Sequence, residues 1–423
     1  MPNQESSSNQ EISNPLRKPL TLPCGALLKN RIIKACMSDS LGECGCPTKP
    51  QIRLYERWAE GGVGLSCVGE VQVDPRYPEK PGNLVPTITT DTVPTDDEKS
   101  SPNGLFRELT RRATINGAHL WAQLGHAGAL THLPVNPVPK GPSPLNVPGL
   151  SCEGMSLEEI QSLPRKYAAT AQRSKELGFT GVLIHAGHGF LLSQFLSPLF
   201  NKRNDDYGGP IDRRCRLILE IIQAVRKVVG PTFPVGIRLN STDQLEGGLI
   251  QEEALEAVRL LDTTSIDLID ISGGTYFPGA KSAGDGKGEG PYFLEFARRA
   301  RALTNKPLVL TGGFKKRHQA LEVLNSDTVD AVGIARALAL NPSLATDWMA
   351  NSNAMTTNVD PTFPRFQETV PGGITAWFTM HLTALGEDRE NIFDMGLATA
   401  LGEYEERDAQ RTLEWRQHFS MSN

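Results

Sequence analysis

The sequence predicts an α/β fold in which eight parallel strands, each followed by a helix, close into a barrel with a helical C-terminal extension. Three observations predict it. Short apolar runs alternate with longer amphipathic ones along most of the chain. The apolar runs are nearly continuous, as parallel strands covered by helices require. The Gly-x-Gly-x-x-Gly turn that usually follows the first strand of the rival doubly wound sheet does not stand there. Right-handed crossovers between eight such units close most simply into a (β/α)₈ TIM barrel, a fold that accommodates 423 residues once extra segments are counted.

The strand-like runs are 31–37 (RIIKACM), 63–73 (VGLSCVGEVQV), 118–124 (AHLWAQL) and 181–185 (GVLIH). They continue at 235–239 (VGIRL), 266–272 (IDLIDIS), 308–311 (LVLT) and 329–334 (VDAVGI). Helical patterns lie between them. Ser156 and Glu159 form a capping box, each side chain serving the other's backbone N–H, and the helix they open stops at Gly178. Residues 212–229 place apolar side chains three and four apart and end at Gly230-Pro231. Residues 251–261, 292–303 and 315–324 repeat the scheme.

Two segments fall outside this rhythm. Residues 130–152, rich in Pro, Gly, Asn and Val, are too long for an ordinary βα turn and read as a rim loop over the active face. Beyond Asn341 the chain reads as irregular to Gly373 and then helical, with Trp377, Phe378, Phe393 and Trp415 as anchors. This extension is expected to pack on the barrel or on a second subunit, in a monomer or homodimer. The domain reading is a polar, disordered lead over 1–14, the barrel over 15–345, and the extension over 346–423.

Bulk properties narrow the partner. A formal net charge of −5, with 39% apolar and 22% charged residues, leaves no basic footprint for nucleic acid or anionic membrane. A small-molecule substrate is the expectation. No apolar run is long enough to span a bilayer, and the first residues lack the apolar core of a secretory signal, so a cytoplasmic location is expected. Among the 7 cysteines, Cys44 and Cys46 with Cys24 and Cys36 do not form paired CxxC knuckles, and no metal site is expected.

In such barrels chemistry sits where the strands end. Reading the residue after each run gives Met37-Ser38, Glu70, Gln123, His185 with His188, Arg238, Ser272-Gly273-Gly274, Gly312-Gly313 and Ala335-Arg336. Glycines after strand seven, followed by an arginine after strand eight, suit a phosphate: bare backbone N–H groups approach the anion and the guanidinium adds charge. A glycine turn beside a surface arginine is the plainer alternative. Arg238 either stabilises negative charge on a bound ring or pairs with a carboxylate such as Asp270. Gln123 suits a ring edge and equally a bridge between strands. His185 and His188, three apart on a turn, can present two N–H donors to one carbonyl oxygen or anion. No third ligand stands at a spacing that would make them a zinc site.

The stretch HAGHGFLLSQFLSP, followed by NKRNDDYGGPIDRRCRLILEII, resembles the Old Yellow Enzyme family. That family carries a His-x-x-His/Asn pair, Gly-Tyr-Leu, and an Asn-x-Arg-x-Asp-x-Tyr-Gly-Gly stretch. NRIIKACMS is similar to its first strand, QLGHAG to its third and VGIARALALNP to its eighth, so the resemblance covers about Leu16 to Pro342. It implies non-covalent FMN, reduction by NADPH or NADH, and hydride transfer to activated alkenes such as enones or enals. Carried over by position, Ala35, Cys36, Met37, Ser38, Glu70 (largely through backbone), Gln123 and Arg238 would line the ring. Gly312, Gly313, Ala335 and Arg336 would hold the phosphate. His185 and His188 would bind the substrate carbonyl.

Three departures stand out. Cys36 replaces a proline and Ala335 a glycine. Phe190 stands where the family has its proton-donating tyrosine, and phenylalanine cannot donate. Tyr276, on the glycine-rich loop after strand six, is the nearest candidate to share the substrate site with Phe190 and supply the proton. Phe190 also motivates a second reading, a redox-neutral isomerase or specialised dehydrogenase on the same scaffold. A non-catalytic flavin-binding barrel is a third. The iron–sulfur site and second nucleotide-binding domain of larger relatives are not expected, since no cysteine follows Cys215.

Overall fold

The computed structural model describes residues 14–88, 101–278, 280, 290–350 and 359–420. The lead expected over 1–14 falls almost wholly outside the described residues. Eight parallel strands close into a barrel. In chain order they are β1 (Ile32–Lys34), β2 (Leu65–Gln72), β3 (His119–Gly125), β4 (Gly181–Ala186), β5 (Val235–Asn240), β6 (Leu268–Ser272), β7 (Leu308–Thr311) and β8 (Ala331–Ile334). β8 pairs with β1 to complete the ring. Each predicted run overlaps its strand, with β3, β4 and β5 reaching one residue further at Gly125, Ala186 and Asn240, but β1 is shorter than its apolar run, so Ala35 to Ser38 lie beyond it.

Helices α1 (Lys49–Glu60), α2 (Pro102–Ala113), α3 (Leu157–Glu176), α4 (Leu191–Leu196) and α5 (Ile211–Val229) follow β1 to β4. They continue as α6 (Gln251–Asp262), α7 (Leu294–Arg301), α8 (Arg317–Asn325), α9 (Arg336–Leu340) and α10 (Leu344–Ala350). The capping box opens α3 as the sequence predicts, with Ser156 Oγ accepting from the Glu159 N–H at 3.1 Å.

The barrel is filled, not hollow. Ile33, Leu65, Trp121, Leu183, Leu268 and Val309 form an inward layer, and Leu20, Leu22 and Leu28 of an N-terminal hairpin pack beneath it. Trp121 fills so much of the axis that a Cβ at Gly181 would come within 2.4 Å of its ring nitrogen. Burial of this layer and of the strand–helix layer outside it stabilises the scaffold.

Two expectations are corrected. The rim segment 130–152 is not structureless: Lys140–Gly141, Leu145–Val147 and Leu150–Gly154 form a small sheet over the barrel's edge. The stretch after Asn341 is not irregular throughout, because α10 begins at Leu344. The extension then forms α11 (Gly373–Gly386) and α12 (Leu397–His418). α11 lies on α1, where the Arg57 guanidinium donates to the Leu385 carbonyl at 3.1 Å. α12 lies across segments that follow β1, β2 and β3. Trp415 Nε1 donates to the Pro75 carbonyl at 2.9 Å, Asp408 meets His132 at 3.0 Å and Lys80 at 3.5 Å, and Arg411 donates to the Ser40 carbonyl.

Candidate active site

Strand register sets the site. Arg238 on β5 lies level with His185 on β4 and Asp270 on β6. Of the two roles open to Arg238, the carboxylate pairing is present. Its Nε donates to Asp270 Oδ2 at 2.8 Å and its Nη1 to the Cys36 carbonyl at 3.3 Å. Asp270 also accepts from Thr311 Oγ1 at 2.6 Å. The pair is buried, so the guanidinium keeps its charge and is held against the turn that follows β1.

Glu70, expected to act largely through its backbone, also makes side-chain contacts. Its side chain is 6% exposed and turns into the barrel, where Oε1 accepts from Gln123 Nε2 at 2.5 Å. The same oxygen lies 2.7 Å from His185 Nδ1, bent from the in-line direction of an ideal N–H bond. Burial pushes the Glu70 carboxyl up to about 8, with Arg238 and the Gln123 bond pulling the other way.

The two histidines do not face one point as two equal donors. His185 Nε2 lies 3.1 Å from His188 Nδ1, and His188 Nε2 lies 2.9 Å from Ser272 Oγ at the end of β6. Burial and the nearby Arg238 charge hold His185 well below the usual imidazole range; burial, His185 and Arg238 do the same for His188. Both are therefore neutral rings with one N–H each. His188 sits at φ 58, a conformation uncommon for a side-chain-bearing residue. It is held there by its own N–H, which donates to Asn240 Oδ1 at 3.0 Å, and by its carbonyl, which accepts from the Tyr276 N–H at 3.1 Å.

Aromatic rings wall this corner. Phe190 packs edge-on to His185 at 5.1 Å between centroids and lies 5.7 Å from Tyr276. Tyr276 stands 6.1 Å from His188 and remains 64% exposed at the mouth. Ser38 pairs with Gly69 at the edge of the site, beside Glu79. The Asn-x-Arg-x-Asp stretch is architectural. Asn201 Nδ2 donates to the carbonyls of Phe195 and Tyr207 at 2.8 and 2.7 Å, and Arg203 clamps those of Pro142 and Met155 at 2.9 Å.

The anion cradle has the expected backbone. Gly312 and Gly313 adopt φ 114 and 89, and a Cβ at Gly313 would lie 1.9 Å from the Gly290 carbonyl oxygen. Ala335 caps α9, whose first residue is Arg336; the guanidinium stands 5.9 Å from the Phe378 ring centroid of α11. The donor set fits FMN: glycine N–H groups and Arg336 for the phosphate, and Gln123 Oε1, buried without a hydrogen-bond partner, for a ring edge.

Comparison with known proteins agrees. The model of the NADH:flavin oxidoreductase / NADH oxidase family matches residues 15–353. The chain belongs to that family. It is thus a flavin-dependent oxidoreductase of the Old Yellow Enzyme group, with FMN as cofactor and NAD(P)H as reductant. It is 31% identical over 408 residues to the NADH-dependent flavin oxidoreductase iliE of Hypocrea jecorina (strain QM6a), covering 88% of this chain and 97% of that protein. Against the NADH-dependent flavin oxidoreductase nadA of Aspergillus parasiticus, identity is 32% over 339 residues, covering 75% and 74%. The solved structure of morphinone reductase superposes with a TM-score of 0.67 at 26% identity, covering 80% of this chain and 90% of that one. Among the described residues no group of metal-ligating side chains is assembled, and no helix is long and apolar enough to cross a membrane.

Side-chain partnerships are what sequence reasoning missed. Ser272 appeared only as a strand end, and the Glu70 carboxyl was overlooked. The available signal was an acidic residue inside an otherwise apolar strand run, a position where charge is rarely left without partners.

Proposed function

We propose that this oxidoreductase reduces carbon–carbon double bonds activated by a carbonyl group, in substrates such as enones and enals. The observation that carries the reading is His188 Nε2, the nitrogen of the imidazole pair turned away from the other ring, which lies 2.9 Å from Ser272 Oγ at the end of β6 and is backed by the buried His185 imidazole. Bound FMN supplies the hydride, taken from the nicotinamide. The residues of this chain bind, orient and polarise the acceptor. His188 Nε2–H donates to the substrate carbonyl oxygen, where negative charge gathers as the alkene is reduced. His185 fixes the orientation of His188. Phe190 and Tyr276 form an aromatic wall that supports a planar acceptor. Arg238, held by Asp270, keeps a fixed positive charge beneath the ring site.

His188→Ala tests this. Loss of a donor to a developing oxyanion costs about 2.7–4 kcal/mol in the transition state. A cyclic enone under NADPH should therefore turn over about 10²-fold slower or worse, while the flavin stays bound. Undiminished turnover would remove His188 from the substrate site.

Phe190 favours one second reading, a redox-neutral isomerase or specialised dehydrogenase. A purified enzyme that rearranges alkenes without consuming nicotinamide would establish it.

A further inference from the structure

We propose that Glu70 supplies the proton that completes the reduction, passing it through His185 and His188 to the substrate oxygen held at His188 Nε2. The inference rests on the ene-reduction reading. Glu70 Oε1 lies 2.7 Å from His185 Nδ1 in a bent contact and His185 Nε2 lies 3.1 Å from His188 Nδ1, so these groups run in sequence from the carboxyl to His188 Nε2. Catalytic hydrogen bonds are often poorly aligned before substrate binds, so the bend at Glu70 is compatible with transfer.

Each neutral imidazole has one N–H and one bare nitrogen, so the line can point in only two ways. With Glu70 protonated, its O–H donates to His185 Nδ1, His185 Nε2–H donates to His188 Nδ1, and His188 Nε2–H is directed at Ser272 Oγ, from which the substrate oxygen takes it over. With Glu70 ionised, every bond reverses and His188 Nε2 is bare. The two states differ by one proton, which enters or leaves at His188 Nε2.

Delivery breaks the His188 Nε2–H bond and forms an O–H bond on the substrate oxygen. In step, the His185 Nε2 proton moves to His188 Nδ1 and the Glu70 proton to His185 Nδ1. The electrons delivered with hydride stay on the substrate, which leaves as an enol and ketonises in water. Glu70 regains its proton from solvent along the same line.

The surroundings suit a proton store. Gly125 leaves room that any side chain would fill, since a Cβ there would meet Glu70 Oε2 at 2.0 Å. Around the carboxyl stand Gln123 from β3, His185 from β4, Arg238 from β5 and Tyr167 from α3. Glu79 and Tyr276 face it from the segments after β2 and β6. Burial outweighs the attraction of Arg238, and the carboxyl keeps its proton up to about pH 8. Phe190, at the corner, offers no proton of its own.

Glu70→Gln keeps the shape and removes the proton. In the flavin-loaded enzyme, reduction by the nicotinamide and reoxidation by a cyclic enone are timed separately by stopped flow. We expect reoxidation to slow about 10²-fold or more relative to reduction. The decline that the parent shows above about pH 8 should disappear. Equal slowing of the two half-reactions, or an unchanged pH profile, overturns the proposal. So does slow reoxidation in Tyr276→Phe with none in Glu70→Gln. A readout free of turnover is nitrogen NMR of histidine-labelled parent: His185 and His188 should exchange tautomers together near pH 8, neither becoming cationic. Fixed tautomers overturn the relay. A parent that reduces no activated alkene instead sinks the ene-reduction reading, while the tautomer experiment still judges the relay.

Discussion

Glu70 is a residue whose protonation couples the site to the stability of the whole chain. Its folded-state carboxyl is raised to about 8 from an ordinary value of 4.5. Below the ordinary value both folded and unfolded chains hold the proton; between the two values only the folded chain does. Stability from this group is therefore fully present at low pH and lost as pH rises through about 8. The slope is at most about 1.4 kcal/mol per pH unit. Thermal unfolding of parent and Glu70→Gln should thus converge or cross as pH rises through that window, while the buried histidines titrate in both and cancel. Parallel curves would show that Glu70 is ionised in the fold. Phe190→Tyr tests the other side of the same corner. The ring is 4% exposed and edge-on to His185, so a hydroxyl there adds a second acid. Reoxidation by weakly activated enones should quicken, and by nitroalkenes change less, because the latter need less help from an acid.

At the scale of elements, α12 packs on the segments that follow β1, β2 and β3 without belonging to the barrel. Trp415 is fully buried against Val85 and Val135, and Asp408 ties the helix to Lys80 and His132. Trp415→Ala should cost about 3–5 kcal/mol of local stability, as large-to-small changes at buried tryptophans do. Hydrogen exchange should then quicken in the segments around Pro75 to Val85 and His132 to Val135 before the strands respond. Unchanged protection there would mean that α12 merely rests on the mouth. The contrast between barrel and extension shows what the sequence could disclose. Strands such as 235–239 were legible because burial on both faces writes a local apolar run. The glycine pair and Arg336 were legible because a placement rule ties them to strand ends. The Glu70–His185 contact was not, because it depends on how β2 and β4 are aligned across β3, which no single run records. The position of α12 was equally hidden: an apolar stripe with Trp415 on it says that a helix is buried, not against what.

For the molecule as a whole, the proposed site puts phosphate binding and redox chemistry on opposite sides of one mouth, and the two should separate experimentally. The proposed phosphate side consists of backbone N–H groups at Gly312 and Gly313 with Arg336, which follow β7 and β8. The proposed reactive side is carried by β2 to β6, where a Glu70–Gln123 bond with His185 beside it and an Arg238–Asp270 pair stand on neighbouring strands. The sequence carries no recognisable flavin-linking motif, so the cofactor should leave intact when the chain is unfolded by acid or heat. Colour retained on fully denatured protein would refute non-covalent binding. Arg336→Ala removes one charge-assisted contact to the phosphate, a loss of about 1.5–3 kcal/mol, and should weaken flavin affinity about 10–100-fold with the visible spectrum unaltered. Arg238→Ala acts on the other side. It withdraws a buried positive charge and leaves Asp270 with only the Thr311 hydroxyl, so the reduced, anionic ring loses stabilisation and the reduction potential falls. Spectroelectrochemical titration of parent and both variants distinguishes the two sides: a shifted potential in Arg238→Ala alone supports the division, and a potential unchanged there would place Arg238 away from the ring.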